Sequence, residues 1–241
     1  MGAFGERILD CLWPRRCFQC GKPLATNGYY LHLCDHCAGM LNFIGINACP
    51  RCGRPYSDDG RGRDDCPNCR SRSFSFRSGR ALFECNGLGR AIIHELKYRN
   101  GHFLLPDIGR LSRNFFGELR GKILVPVPLH WWRRWQRGYN QSELICQVLA
   151  REHDCRVIHL LRRHKFNRRQ TDLCRQDRYT NVAKSFSLCR RVLEKSNINR
   201  SEEIYIVDDV LTTGSTIDAC AKVLEAAGFL SIHARAVARA F

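Results

Sequence analysis

Two groups of residues in this 241-residue chain are spaced for chemistry: cysteine pairs in the N-terminal third and an acidic, threonine-rich stretch near the C-terminus. Eight of the 15 cysteines form four Cys-x-x-Cys pairs: Cys17 with Cys20, Cys34 with Cys37, Cys49 with Cys52, and Cys66 with Cys69. A two-residue gap turns both sulfurs inward, and two such pairs complete a tetrahedral thiolate set with no open position, the structural kind of zinc site. Cys17, Cys20, Cys34 and Cys37 are assigned to one ion, and Cys49, Cys52, Cys66 and Cys69 to a second. Spacing alone leaves exchange of pairs between the sites open. The competing chemistries are a redox-active Cys-x-x-Cys or an iron–sulfur cluster, but no thioredoxin-like βαβ context accompanies the pairs. The segment repeats internally: Cys-Phe-Gln-Cys-Gly-Lys-Pro at residue 17 returns as Cys-Pro-Arg-Cys-Gly-Arg-Pro at residue 49. Gly21 and Gly53 close each first knuckle with the left-handed backbone it needs. His32 and His36 flank the second knuckle, yet four thiolates make them unnecessary as ligands. Cys11, Cys85, Cys146, Cys155, Cys174, Cys189 and Cys220 lack ligand spacing and read as buried small hydrophobes or inert thiols.

The second group is Ile204-Tyr-Ile-Val-Asp-Asp-Val-Leu-Thr-Thr-Gly-Ser-Thr216. An apolar strand delivers Asp208 and Asp209 to its carboxyl end, where α/β sheets bind ligands. Thr212 to Thr216 then turn about Gly214 into a helix N-terminus. Free backbone N–H groups, hydroxyls and the positive end of the helix dipole suit a phosphate monoester. The two carboxylates just before this cup are placed to accept hydrogen bonds from vicinal hydroxyls, so a sugar phosphate fits better than a bare polyphosphate. There is no Gly-x-x-x-x-Gly-Lys-Ser/Thr and no Gly-x-Gly-x-x-Gly after a strand, which excludes a Walker ATPase and a dinucleotide fingerprint.

A third cluster, Trp131, Trp132, Arg133, Arg134, Trp135 and Arg137, interleaves rings with guanidinium groups. Bases stack on rings while arginines neutralise phosphates, so single-stranded nucleic acid is one reading. The equal alternative is that one or two of these Trp pack in the core while the arginines serve an anionic small molecule. A second basic tract runs from Arg162 to Arg191, with Arg168 and Arg169 near its centre. It reads either as an anion- or DNA-contacting flap or as a solvated charged face.

These groups need elements to hold them. Leu88, Ile92 and Leu96 fall at helical spacing, as do Ile108, Leu111, Phe115 and Leu119. Ile123 to Pro128 reads as a strand leaving into a loop. Asn140 with Glu143 reads as a capping-box start for a helix burying Leu144, Ile145, Val148 and Leu149. Val157 to Leu161, Glu203 to Val207 and Ser231 to Ala238 read as further strands. A helix with Ile217, Cys220, Leu224 and Ala227 on one face follows the cup, and Gly228 stands where its C-terminal cap belongs. Strands alternating with helices predict a largely parallel sheet. Composition shifts near residue 70, which predicts a metal-stapled domain over residues 1–75 and an α/β domain over residues 76–241.

Hydrophobic residues make up 44% of the chain and charged residues 26%, so wholly disordered chains are excluded. A net charge of +16 raises the expectation of a polyanionic partner. No apolar run reaches the roughly 18 residues of a membrane helix. The first sixteen residues lack the apolar block of a secretory signal, and paired cysteines suit a reducing compartment, so the expectation is cytosolic.

The Asp-Asp stretch closely resembles the 5-phosphoribosyl-1-pyrophosphate (PRPP) motif of type I phosphoribosyltransferases. With a double four-cysteine ribbon ahead of it, the chain resembles the ComF/GntX family, linked to bacterial competence and use of external DNA. Leu96-Lys97-Tyr98, Val125-Pro126-Val127-Pro128, Arg137-Gly138-Tyr139-Asn140-Gln141 and the Gln170 to Phe186 segment extend the likeness over nearly the whole chain. The resemblance implies an α/β, type I phosphoribosyltransferase-like parallel sheet with helices on both faces behind a small double zinc ribbon. It implies that Asp208 and Asp209 hold the ribose hydroxyls and that Leu211, Thr212, Thr213, Gly214, Ser215 and Thr216 cradle the 5-phosphate. Lys97, Val127 and Pro128 would approach the pyrophosphate, with magnesium bridging ribose and pyrophosphate oxygens. The Arg162 to Arg191 tract would correspond to a mobile segment that closes over the site, with Asn181 and Phe186 anchoring its return. The function expected is PRPP binding in DNA uptake and natural transformation, handling single-stranded DNA, with DNA-uptake or recombination proteins as further partners. The alternative is an active phosphoribosyltransferase that moves phosphoribosyl to an acceptor no residue identifies.

Overall fold

The computed structural model describes residues 14–25, 28–56, 66–164 and 185–241. Its centre is a five-stranded, all-parallel sheet in the order β1-β7-β6-β2-β3. The strands are β1 (Ser78–Glu84), β2 (Ile123–Pro126), β3 (Arg156–Val157), β6 (Ile204–Leu211) and β7 (Ile232–Arg239). A separate antiparallel pair joins β4 (Leu161–Arg163) to β5 (Phe186–Leu188). Helices α1 (Asp35–Gly39) and α2 (Pro67–Arg70) belong to the cysteine segment; α3 (Gly87–Tyr98), α4 (Leu105–Phe115), α5 (Trp131–Arg137), α6 (Gln141–His153), α7 (Arg190–Lys195) and α8 (Ser215–Ala226) belong to the rest.

A parallel sheet must be covered on both faces, and the side chains of β6 show how. Tyr205 and Val207 enter one core with Ile92 and Leu96 of α3, Ile108 and Leu111 of α4, and Ile145 and Leu149 of α6. Ile204 and Ile206 enter the other with Ile217, Cys220 and Leu224 of α8. The expected sheet with helices on both faces is therefore present.

The duplicated cysteine segment folds as two copies of one turn. Arg16 pairs with Pro23 and Ala48 with Pro55 as isolated antiparallel bridges, 32 residues apart in sequence. Gly21 and Gly53 take φ of +70° and +68°, as their places in the knuckles require. The copies embrace the sheet: Cys17, Leu33 and Cys37 of the first join one core, and Cys49, Cys52 and Cys66 of the second join the other. Between them, Phe43 bridges Phe83 of the edge strand β1, and the Ile44 N–H donates to Leu82 O at 2.9 Å. That connection covers an edge that would otherwise offer unpaired backbone.

Several sequence expectations change in detail. Strand β1 was not anticipated, although Ala81-Leu82-Phe83 is its buried signature. Helix α4 stops at Phe115, and Leu119 is buried beyond its end because Gly117 and Gly121 turn the chain at positive φ. The strand expected over Val157–Leu161 splits: Arg156–Val157 pairs with β2, and Leu161 starts the β4–β5 pair. Strand β6 runs on to Leu211, so the Asp pair lies inside it. Asn140 caps α6 through Ser142 N, but Glu143 turns to Arg134 and His159 instead of closing a capping box. Gly228, at φ +91°, ends α8 as expected. Cys11, the polar run 57–65, Cys174 and Asn181 lie outside the described residues.

Candidate phosphate site and two thiolate centres

The structure settles the pairing of the cysteines. The sulfurs of Cys17, Cys20, Cys34 and Cys37 gather within 4.8 Å of one another, and those of Cys49, Cys52, Cys66 and Cys69 do the same. A tetrahedron with metal–sulfur bonds of about 2.3 Å has edges of about 3.8 Å. Cys20–Cys34 at 3.9 Å, Cys49–Cys69 at 3.7 Å and Cys52–Cys66 at 3.6 Å match that edge, so both sets fit zinc. Burial pushes the Cys17 thiol up, but hydrogen bonds from the backbone of Cys20, Cys34 and Gln19 win and bring it to about 6, whereas burial pushes Cys37 of the same set up to about 12. His32 packs edge-on against Phe103 and joins neither set. Cys146 and Cys220 are fully buried; Cys85, Cys155 and Cys189 are half-buried.

The cup follows β6. Gly214, at φ +83°, is the N-cap of the 12-residue α8. The first-turn N–H groups of such a helix have no partner within it. Thr212 and Thr213 are exposed, while Ser215 and Thr216 are half-buried. The hydroxyls of Thr213 and Ser215 lie 2.6 Å apart, and Ser215 N–H donates to Thr213 Oγ1 at 3.3 Å. Hydroxyls and amides thus converge at the positive end of a helix, where an anion is favoured.

Asp208 and Asp209 stand just before the cup. Asp208 Oδ1 accepts from Ser142 Oγ at 2.9 Å and from Asp209 N–H at 2.9 Å. Burial first, and then the charge of Asp209, push the Asp208 carboxyl up to about 7. Lys97, at the end of α3, places Nζ 3.3 Å from Asp209 Oδ1. The loop after β2 closes the network: Val127 N–H donates to Val207 O at 2.9 Å, and Asn140 Nδ2 donates to Val127 O at 3.1 Å. Lys97, Val127, the Asp pair and the cup are therefore joined through β2, β6 and α6, and Pro128 follows Val127 half-buried. Beside Lys97, a cavity of about 340 Å³ is lined by Lys97, Tyr98, Arg99, Asn100, Gln136, Arg137 and Tyr139 and contains no carboxylate.

Sequence reasoning did not assign Ser142, Arg239 or the Arg72–Ser75 segment to the site. The signal for Arg239 was legible, since a charge at the end of an otherwise apolar strand must find buried acceptors. It donates to Leu211 O at 3.0 Å and to Thr212 O.

The tryptophan–arginine cluster forms the short helix α5, in which no residue is buried. Trp131, Trp132 and Trp135 are 49%, 51% and 74% exposed, so none of these three packs in the core. Trp132 stacks on Trp135 with centroids 5.2 Å apart. Arg133 and Arg134 are exposed, and Arg137 lies over the Tyr98 ring at 4.9 Å. Arg168 and Arg169 lie outside the described residues.

Residues 8–70 match the double zinc ribbon domain family. The chain is 28% identical over 225 residues to competence protein F of Haemophilus influenzae, covering 86% of this chain and 96% of that protein. It is 27% identical over 219 residues to the DNA utilization protein YhgH of Escherichia coli K12, covering 88% and 91%. It is 25% identical over 198 residues to competence protein ComFC of Bacillus subtilis, covering 80% and 77%. These similarities support the likeness to the ComF family. The ribbons and the parallel sheet that this likeness implies are both present. A solved structure of the allosteric regulatory enzyme of purine biosynthesis overlaps 59% of this chain and 29% of its own at 17% identity, with a TM-score of 0.38. Among the described residues, no helix is long and apolar enough to cross a membrane.

Proposed function

We propose that this ComF-type protein binds PRPP at the cup and handles single-stranded DNA in the cytosol during DNA uptake and natural transformation. The observation that carries the reading is the convergence of the Asp208–Asp209 pair, the Thr212–Thr216 cup at the N-terminus of α8, and Lys97 against Asp209. In this reading the cup holds the 5-phosphate, and the two carboxylates accept hydrogen bonds from the ribose hydroxyls. Lys97 and the Val127–Pro128 loop face the pyrophosphate. Magnesium fits this donor set because carboxylate and phosphate oxygens are hard ligands; when bound, it would neutralise pyrophosphate charge. Among the described residues no third carboxylate joins the Asp pair in a metal cluster, so the ligand's own oxygens would supply most of its coordination.

The names of the relatives, competence and DNA utilization, support the DNA part of the reading. So do the +16 charge and the solvent-facing rings of α5 beside arginines. Recombination or uptake proteins are the further partners this role would bring. The second reading is catalytic: phosphoribosyl passes from PRPP to an acceptor, the bond from C1 to pyrophosphate oxygen breaking as C1 bonds the acceptor. The cavity beside Lys97, whose lining has no carboxylate, favours it, since it would accommodate an anionic leaving group or acceptor.

Calorimetric titration of zinc-loaded protein with PRPP and magnesium tests the first reading, beside an Asp208→Asn/Asp209→Asn variant. Micromolar binding lost in the variant supports it; no binding to folded wild type overturns it and leaves DNA binding as the leading function. Pyrophosphate release in an acceptor screen tests the second.

A further inference from the structure

The cup is built partly by the second cysteine ribbon. Cys69 lies in α2, and three residues later Arg72 Nη1 donates to Thr213 O at 3.1 Å. The Phe74 ring closes on Gly214 so tightly that a Cβ there would stand 3.0 Å from Phe74 Cε1. Ser75 N–H then donates to Asp218 Oδ1, in the first turn of α8, at 2.8 Å. Arg239, only 2% exposed, donates to Leu211 O and Thr212 O. Every backbone unit from Leu211 to Gly214 is thus gripped by Arg239 or by the segment that Cys66 and Cys69 anchor.

The first ribbon has a different attachment. The buried carboxylate of Asp107 on α4 accepts from Leu31 N–H at 2.7 Å and His32 N–H at 2.8 Å, on the other face of the sheet. Among the described residues no hydrogen bond or ion pair runs from it to the cup.

We infer that Arg72 and Phe74 are positioning residues that couple metal occupancy of the Cys49–Cys52–Cys66–Cys69 centre, and not of the other, to the geometry of the phosphate cup. Zinc fixes Cys66 and Cys69, these fix the Arg72–Ser75 segment, and that segment holds Thr213, Gly214 and Asp218. Without the metal, core packing and the 3.4 Å hydrogen bond from Arg51 Nη2 to Phe74 O still link the two cysteine pairs, but the segment loses its four-thiolate anchor. Any such coupling is reciprocal: an anion seated in the cup must raise the zinc affinity of the second centre by the factor by which zinc tightens the anion. The ligand half of this inference rests on the PRPP reading; the mechanical half does not.

Three measurements separate the halves. Hydrogen exchange is followed in Cys69→Ser, which breaks the second centre, and in Cys37→Ser, which breaks the first. Residues 211–218 should exchange at least tenfold faster in Cys69→Ser alone; equal protection in the two variants overturns the inference. Because Cys69→Ser also disturbs the ribbon around it, zinc release to a colorimetric chelator is measured as well in Cys37→Ser, whose only zinc is the second. Adding Arg72→Ala and Phe74→Leu to that protein should speed release severalfold with all four thiolates intact; an unchanged rate overturns the inference. Finally, PRPP with magnesium should tighten the zinc Kd of Cys37→Ser at least tenfold in equilibrium competition with the chelator. If PRPP binds by calorimetry yet leaves that Kd unchanged, the coupling fails and the PRPP reading stands. If PRPP does not bind while the first two results hold, the coupling stands and the PRPP reading fails.

Discussion

At the scale of single residues, Asp208 is the group whose chemistry is most altered by its surroundings. Its carboxyl, pushed up to about 7 by burial and by Asp209, holds a proton in the fold that it would lose in the unfolded chain near pH 4. Between those values the native state binds more protons than the unfolded one, so stability falls as pH rises from about 4 to 7. Asp208→Asn should flatten that slope and leave the protein more stable than wild type at pH 8, by a few kcal/mol at most. Urea unfolding at several pH values checks this. If the carboxylate accepts ribose hydroxyls, PRPP favours its ionised form. Binding at pH 7 should then release a fraction of a proton, read as a buffer-dependent calorimetric heat that vanishes in Asp208→Asn. Gly214 is the other residue under local constraint. Gly214→Ala meets both a left-handed φ and the Phe74 ring, and should cost on the order of 1–3 kcal/mol of stability while weakening PRPP binding. Thermal unfolding and titration together check it.

At the scale of elements, α5 buries none of its seven residues, which lie between β2 and α6. Its three tryptophans contribute little to the core, so replacing Trp131, Trp132 and Trp135 by Ala should change stability by less than about 1 kcal/mol. If bases stack there, each ring lost should weaken oligothymidine binding by about 1–3 kcal/mol. Fluorescence anisotropy reads the affinity. Its salt dependence should follow a log–log slope of about −0.7 per phosphate neutralised. An unchanged affinity would move the DNA contact to the ribbons or to the Arg162–Arg191 tract. The periodic helices and the Asp-Asp strand were legible in sequence because each carries a run of apolar positions at its own period. Strand β1 was not, because its three consecutive buried residues, Ala81, Leu82 and Phe83, break a period-two pattern and its partner β7 lies more than 150 residues away. The Val157–Leu161 run failed for a related reason: an apolar run does not say which sheet its ends will join.

At the scale of the whole molecule, the two ribbons clamp the β1 side of the sheet from opposite faces, so their metals contribute to more than their own folding. Structural zinc supplies roughly 10–16 kcal/mol to small ribbons. Stripping both ions with a chelator should therefore expose the β1 edge, lower the unfolding temperature and promote aggregation, as measured by calorimetry and light scattering. Asp107→Ala should detach the first ribbon by leaving the Leu31 and His32 N–H groups without their acceptor, at a cost of about 1–3 kcal/mol. Unlike loss of the second ribbon, that change should leave PRPP affinity intact.

The sequence alone determined the chemistry of the parts: eight thiolates in a duplicated frame, two carboxylates ahead of a Gly-centred cup, and a surplus of cations. Those are local facts, fixed by residue type and by separations of a few positions. Tertiary structure decided which cysteine pairs share a centre and that the tryptophans face solvent. It also decided that Ser142, Lys97 and Arg239 meet the Asp pair and the cup. These contacts join residues from about 30 to more than 100 positions apart, and only the packing of α3, α6, β7 and the ribbons against one sheet brings them within bonding distance.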